Sequence, residues 1–181
     1  LHVRSRRQRQ MCIRDRIRPD AFYFIPSYMS PLKTPSGLID VKHRIKMVEL
    51  VIQNLGFGTL RLDEIHRKGQ SYTYDTLVAI KNEAPDAQLY FVIGTDQYEQ
   101  LDKWYKIEEL KKIVTFIVVN RGYPIQSQSE SIQPINIPNI EISSTEIRER
   151  CQQNRTIHMW VPLNVEQYIF KEGLYGSSVC N

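Results

Sequence analysis

Nine consecutive residues, Ile142-Ser143-Ser144-Thr145-Glu146-Ile147-Arg148-Glu149-Arg150, combine an apolar strand end, a helix start and two cations. Ser143 can cap a helix while Glu146, three residues on, closes a capping box, which orders the first-turn N–H groups and points them outward. Such amides favour negative charge. With hydroxyls on the first turn and Arg148 one turn further in, the run forms a cradle suited to nucleotide phosphates. The same spacing also describes an ordinary capped, charged helix, and a motif this short leaves both open.

Other candidates lie at the carboxyl ends of strands, where open parallel sheets bind ligands. Lys33 follows the first strand, Gly94-Thr95-Asp96 the third, and Asn120-Arg121-Gly122 the fourth. A glycine there lets a sugar or base approach the backbone, and an adjacent aspartate can accept from hydroxyls. For Gly94 and Asp96 the plain alternative is a turn with a helix cap. Ser71-Tyr72-Thr73-Tyr74-Asp75-Thr76 is a further helix start able to take a carboxylate on its N–H groups. Trp104, in a polar stretch, is either a stacking platform for a flat heterocycle or a core residue. No Ser/His/Asp or Cys/His nucleophile set is apparent, so nothing points to a covalent intermediate.

The elements that must hold these residues alternate between strand and helix. Phe22 to Ile25 is a short strand closed by Pro26, and residues 27–39 form a loop with Pro31, Pro35 and Gly37. Asp40 caps a helix whose apolar stripe runs Val41, Ile45, Val48, Ile52 and Leu55, ended by Gly56. Thr59 to Leu62 is a second strand, Tyr74 to Asn82 a second helix, and Leu89 to Ile93 a continuous apolar strand stopped by Gly94. Thr115 to Val119 repeats that pattern. Strands without alternation are buried on both faces, so the expected fold is α/β, a mostly parallel sheet with helices on both sides. Residues 122–139, rich in Ser, Gln and Pro, are expected to be a loop with one edge strand at Ile135 to Ile137, and Asn164 to Lys171 a closing helix.

Composition narrows the class. The 181 residues, 41 % hydrophobic and 24 % charged, suit one globular domain with a real core, and no segment is long and apolar enough to span a membrane. The net charge of +4 would suggest nucleic acid, but residues 1–18 alone hold seven arginines and one acid, so the remainder carries −2. Cys12, Cys151 and Cys180 make no disulfide framework or metal pair, which fits a reducing cytosol. His2, His43, His66 and His158 lack metal-ligand spacing, so no protein-built metal site is expected.

Residues 1–16 show neither helical nor strand period, and Met11-Cys12-Ile13-Arg14-Asp15-Arg16 resembles a translated sequencing adapter. Residues 1–18 are therefore expected to be a non-native or disordered leader, 19–175 a nucleotide-handling domain with its first native strand missing, and 176–181 a tail.

Together the segments resemble nicotinate-nucleotide adenylyltransferases, with wording most like that of staphylococci and related Firmicutes. The likeness runs from about Pro19 to Tyr175. It includes Ser30-Pro31-Leu32-Lys33, Gly69 to Leu77, Ile93-Gly94-Thr95-Asp96, Lys103-Trp104-Tyr105, Ile142 to Arg148, Tyr168-Ile169 and Gly173-Leu174-Tyr175. The resemblance implies a Rossmann-like nucleotidyltransferase fold and transfer of AMP from ATP to nicotinic acid mononucleotide, with Mg²⁺ assisting and pyrophosphate released. It implies that Ser143, Ser144 and Arg148 hold ATP phosphates, that Gly94 and Asp96 line the nucleoside region, and that Lys33 approaches the phosphates. It implies that the Thr73 N–H takes the nicotinate carboxylate, that Trp104 stacks on the pyridine, and that Tyr72 and Tyr105 stand beside them. Neither nucleic acid nor membrane is implied as a partner, and a homo-oligomer is left open.

The chain departs from the family in having Leu32 where many members have histidine, and in lacking the opening G-x-F-x-P-x-H-x-x-H motif whose histidines hold ATP. The polypeptide as written is accordingly expected to be weak or inactive. Two alternatives stay open: an adenylyltransferase with another acceptor such as pantetheine phosphate, and a noncatalytic nucleotide- or RNA-binding module.

Overall fold

The computed structural model describes residues 6–29, 39–120, 129–136 and 143–178. In chain order the elements are α1 (Arg6–Ile17), β1 (Tyr23–Phe24), α2 (Val41–Leu55), β2 (Thr59–Leu60), α3 (Asp63–Arg67), α4 (Thr73–Glu83) and β3 (Leu89–Gly94). There follow α5 (Thr95–Tyr98), α6 (Ile107–Ile113), β4 (Val114–Asn120), β5 (Ile132–Asn136), α7 (Ser144–Gln152) and α8 (Leu163–Lys171). The chain divides into two compact units, one drawn from Leu1–Tyr28, Leu32–Arg67 and Ile140–Asn181, the other from Met29–Pro31 and Lys68–Asn139.

The first unit is built on the stripe of α2. Asp40 caps it as expected, its carboxylate accepting from the Lys42 N–H at 2.9 Å. Gly56 ends it in the left-handed region at φ 74°, its N–H donating to the Ile52 carbonyl at 3.0 Å, a conformation that costs glycine least. Met47, Leu50 and Val51 of α2 pack on Ile147 and Cys151 of α7, on Ile157, and on Val165 and Ile169 of α8. Two polar ties lock this packing. Asn164 Nδ2 donates to the Leu50 carbonyl at 2.9 Å, and the buried Glu166 carboxylate accepts from the Thr156 hydroxyl at 2.7 Å and the Ile157 N–H at 2.6 Å. A buried carboxylate is tolerated where such donors replace water. β1 and β2 pair in parallel, Tyr23 opposite Thr59 and Phe24 opposite Leu60.

The leader lacks an apolar period, yet Arg6–Ile17 is helical, with Ile13 buried at 4 % exposure and the Arg14 guanidinium 4.5 Å from the Phe57 ring centroid. Among the described side chains Ile13 and the Arg14–Phe57 contact dock it, a tertiary fact that periodicity does not register. Beyond β2, which is shorter than the expected strand, Arg61 forks onto Asp63 through Nε at 2.9 Å and Nη2 at 2.7 Å.

The bonded Arg61 holds the Asp63 carboxyl below its usual range, against the opposing effect of partial burial. With the folded pKa depressed, the stability it contributes is fully present above the ordinary aspartate range. It is lost as pH falls through the folded value. Asp63→Asn should therefore flatten the acid limb of a stability–pH curve by lowering stability at neutral pH, by about 1 kcal/mol or less for this partly buried pair, with stability below the folded pKa nearly unchanged. Identical acid limbs for the two proteins would show that the pair contributes nothing.

In the second unit β3, β4 and β5 form a parallel sheet in that order, with Phe91 opposite Phe116 and Val118 opposite Pro134. β4 is central, and Phe116, Ile117 and Val118 are fully buried. β3 reads from sequence as buried on both faces, but Tyr90 is 38 % and Val92 39 % exposed. Its alternate side chains face away from the core, which a run of apolar letters cannot reveal. The edge strand expected at Ile135 to Ile137 begins three residues earlier, and Ile137 lies outside the described residues. Pro134 is accommodated because β5 pairs on one side only.

Candidate active site

Within the first unit the helix start forms with half of the expected capping box, the Ser143 cap without the reciprocal Glu146 bond. Ser143 is extended at φ −98°, ψ 151°, and its hydroxyl accepts from the Glu146 N–H at 3.0 Å, fixing the first turn of α7. Ile147 and Cys151 point into the core, so Ser144, Thr145 and Arg148 are carried on the outer face, all exposed. Arg148 Nη2 donates to the Thr145 hydroxyl at 3.3 Å, which brings the guanidinium back over the helix N-terminus.

Ser144, Arg148 and Tyr175 line a cavity of about 290 Å³ whose other walls include Met47, Val48 and Ile147. Burial pushes the Tyr175 phenol up, while the charges of Arg148 and Arg44 act in the opposite direction. Arg44 is fastened by its guanidinium to the backbone carbonyls of Ser27 and Tyr28, the latter at 3.2 Å, and its buried Nε has no partner among the described residues. Neither Arg44 nor Tyr175 was a candidate from sequence: Arg44 reads as the polar face of α2, and only Gly173-Leu174-Tyr175 drew attention to the other. The left-handed backbone of Tyr175, φ 59°, is the local turn that brings its ring back to α7.

The second unit holds Tyr72, Thr73, Trp104 and Tyr105, and brings the rings of Tyr72, Tyr74 and Tyr105 together. Tyr72 is the residue before α4, with no side-chain cap, so the Thr73 N–H heads an open helix start. The Tyr72 and Tyr105 ring centroids are 4.8 Å apart, Tyr74 meets Tyr105 edge-on at 6.0 Å, and the Tyr72 hydroxyl donates to Gln70 Oε1. Trp104, half-buried, stands edge-to-face with Phe91 at 5.9 Å and Phe116 at 6.1 Å. Its Nε1 is buried without a partner among the described residues. The core contacts of Trp104 are thus realised, and they fix the plane of its ring. Lys106 Nζ lies 4.7 Å from the Tyr74 centroid and 5.3 Å from that of Tyr105, a cation the sequence survey missed.

Gly94 ends β3 and caps the four-residue α5, its N–H donating to Gln97 Oε1 at 3.3 Å, and Asp96 is exposed on that turn. Lys33, Arg121 and Gly122 lie outside the described residues. Ser143, Ser144 and Arg148 therefore share one unit, and Tyr72, Thr73, Gly94, Asp96, Trp104 and Tyr105 the other. Among the described residues no three His, Cys, Asp or Glu side chains gather as a metal cluster, and no helix is long and apolar enough to cross a membrane.

A family model for cytidylyltransferase-like proteins matches residues 13–150, beginning inside the segment expected to be foreign. A Staphylococcus haemolyticus protein named probable nicotinate-nucleotide adenylyltransferase is 53 % identical over 159 residues, 88 % of this chain and 83 % of its own length. The chain belongs to the nicotinate-nucleotide adenylyltransferase family. Two structures of Plasmodium falciparum nicotinic acid mononucleotide adenylyltransferase, complexed with NaAD and with APC, share its fold. Their TM-scores are 0.75 and 0.71, at 23 % and 24 % identity, over 94 % and 88 % of this chain and 92 % and 84 % of theirs. The nucleotidyltransferase fold expected from the motifs, a parallel α/β sheet architecture, is the one this family member has. Its start of α7 and its tyrosine cluster are two of the segments on which the resemblance was drawn.

Proposed function

We propose that this protein transfers the adenylyl group of ATP to nicotinic acid mononucleotide. The 5′-phosphate oxygen of the mononucleotide attacks the α-phosphorus, the bond to the β-phosphate oxygen breaks, and deamido-NAD and pyrophosphate leave. The observation that carries this reading is the start of α7, where a capped turn, two hydroxyls and a guanidinium converge beside Tyr175. Such in-line transfer asks for alignment and fixed positive charge, not a protein nucleophile. Ser143 orders the amides, Ser144 and Arg148 take phosphate oxygens, and Lys33 adds a further cation. Gly94 and Asp96 border the nucleoside.

On the acceptor side the Thr73 N–H receives the nicotinate carboxylate, Trp104 offers its half-exposed ring to the pyridine, and Tyr72 and Tyr105 wall the pocket. Mg²⁺ retains most of its water and is held chiefly by substrate phosphates, so it would arrive with ATP. When bound it neutralises charge on the phosphates. The activity belongs to residues 19–175 and to the cytoplasm.

Calorimetric titration tests the acceptor assignment. Trp104→Ala should weaken nicotinic acid mononucleotide binding by roughly 1–3 kcal/mol, the usual worth of one aromatic stack, and leave ATP binding nearly unchanged. Equal mononucleotide affinity in the variant would remove Trp104 from the site. Tight binding of pantetheine phosphate in place of the mononucleotide would move the chain to another acceptor.

A further inference from the structure

We infer that Tyr175 is a further nucleotide-binding residue, its phenol hydroxyl donating to a phosphate oxygen of the ATP that Ser144 and Arg148 hold. The inference rests on the phosphate site proposed above. Tyr175 lies in the left-handed region at φ 59°, ψ 25°, inside the turn Leu174–Gly176. Gly173 at φ 58° and Gly176 at φ 77° take that region at little cost, but a bulky aromatic there is an outlier. Such strain persists only where the surroundings over-determine it, and it gathers at ligand sites. Here the turn is tied down on both sides. The Gly173 N–H donates to the Phe170 carbonyl at 3.3 Å, and the Ser177 hydroxyl donates to the Leu174 carbonyl at 2.8 Å with that of Ile169 at 3.4 Å. The Ser178 N–H donates to Asn154 Oδ1 at 2.7 Å, Asn154 Nδ2 donates to the Ser178 hydroxyl at 3.1 Å, and Leu174 is buried in the core with Cys151 and Ile169.

What these ties hold in place is the tyrosine ring, which lines the same cavity as Ser144 and Arg148. Among the described residues its hydroxyl has no hydrogen-bond partner. Burial pushes the phenol up, against the opposing charge of Arg148, and Cys151 adds to the rise while Arg44 lowers it. The group therefore keeps its proton at neutral pH and can donate. A phenolate would pair with Arg148 and repel a phosphate, whereas a neutral hydroxyl leaves the guanidinium its charge and offers a hydrogen bond besides. A guanidinium, an aliphatic hydroxyl and a phenol facing one cavity are donors of three kinds, and a polyphosphate has acceptor oxygens enough for all of them.

The test titrates the full chain, Tyr175→Phe, Arg148→Ala and the double variant with ATP and with adenosine, by calorimetry. Phenylalanine keeps the ring and the backbone cost, so the melting temperature of Tyr175→Phe should match that of the unaltered chain. Its ATP affinity should fall about tenfold, the worth of one hydrogen bond to a charged group, and its adenosine affinity should hold. Hydroxyl and guanidinium act on one anion, so the loss in the double variant should differ from the product of the two single losses. Unchanged ATP affinity in Tyr175→Phe, with Arg148→Ala still weakened, overturns the inference and leaves the phosphate site standing. An equal loss for adenosine also overturns it, because the hydroxyl would then serve the nucleoside. So does a lowered melting temperature with losses that multiply independently, which would make Tyr175 a packing residue only. If neither single variant alters ATP binding, the phosphate site itself is wrong and the inference falls with it.

Discussion

Phe116→Ala should destabilise the protein by about 3–5 kcal/mol, the usual range for a fully buried phenylalanine cut back to alanine. Phe116 is 0 % exposed at the centre of the middle strand, opposite Phe91 and edge-to-face with both Phe91 at 6.2 Å and Trp104 at 6.1 Å. Removing it opens a cavity in a sheet whose backbone hydrogen bonds hold the walls apart, so collapse around the void is limited. Denaturant unfolding followed by near-ultraviolet circular dichroism should show a lower midpoint and an altered Trp104 environment. Val92→Ala on β3, where the side chain is 39 % exposed, should cost far less. A loss under 1 kcal/mol for Phe116→Ala would mean that the aromatic trio is not the centre of its core.

Arg148→Ala should weaken ATP binding by about 1.5–3 kcal/mol, roughly ten- to a hundredfold in Kd, if the guanidinium takes phosphate oxygens as proposed. In the free protein its neighbours are the Thr145 hydroxyl at 3.3 Å and Tyr175, so little packing is lost with it. Arg148→Lys should recover part of the affinity, since an ammonium supplies charge without the planar fork. Titration with ATP and with nicotinic acid mononucleotide separates the effects: the first should weaken and the second hold. ATP binding unchanged in Arg148→Ala would take α7 out of the nucleotide site and leave its start as an ordinary capped helix.

What the amino-acid sequence determined by itself is local. Asp40, the α2 stripe and Gly56 specify a helix with both ends, because caps and a 3.6-residue period act within a few turns of chain. Ser143 with Glu146 specified the start of α7 for the same reason, and the order of the motifs named the family. The folded chain alone decided which apolar letters are buried. β3 and β4 read alike, yet Tyr90 and Val92 of β3 are exposed while Phe116, Ile117 and Val118 of β4 are buried, because the residues covering a strand face are remote in sequence. Arg6–Ile17 is docked by the buried Ile13 and by Arg14 against the Phe57 ring, contacts with no periodic trace. The same holds for Lys106, Arg44 and Tyr175. Each is an unremarkable letter in its own segment, and it gains chemical meaning from rings or charges that other segments bring within a few ångströms. Charge and quadrupole act through space, so a one-dimensional pattern could point to the helix starts but not to the cations gathered at them.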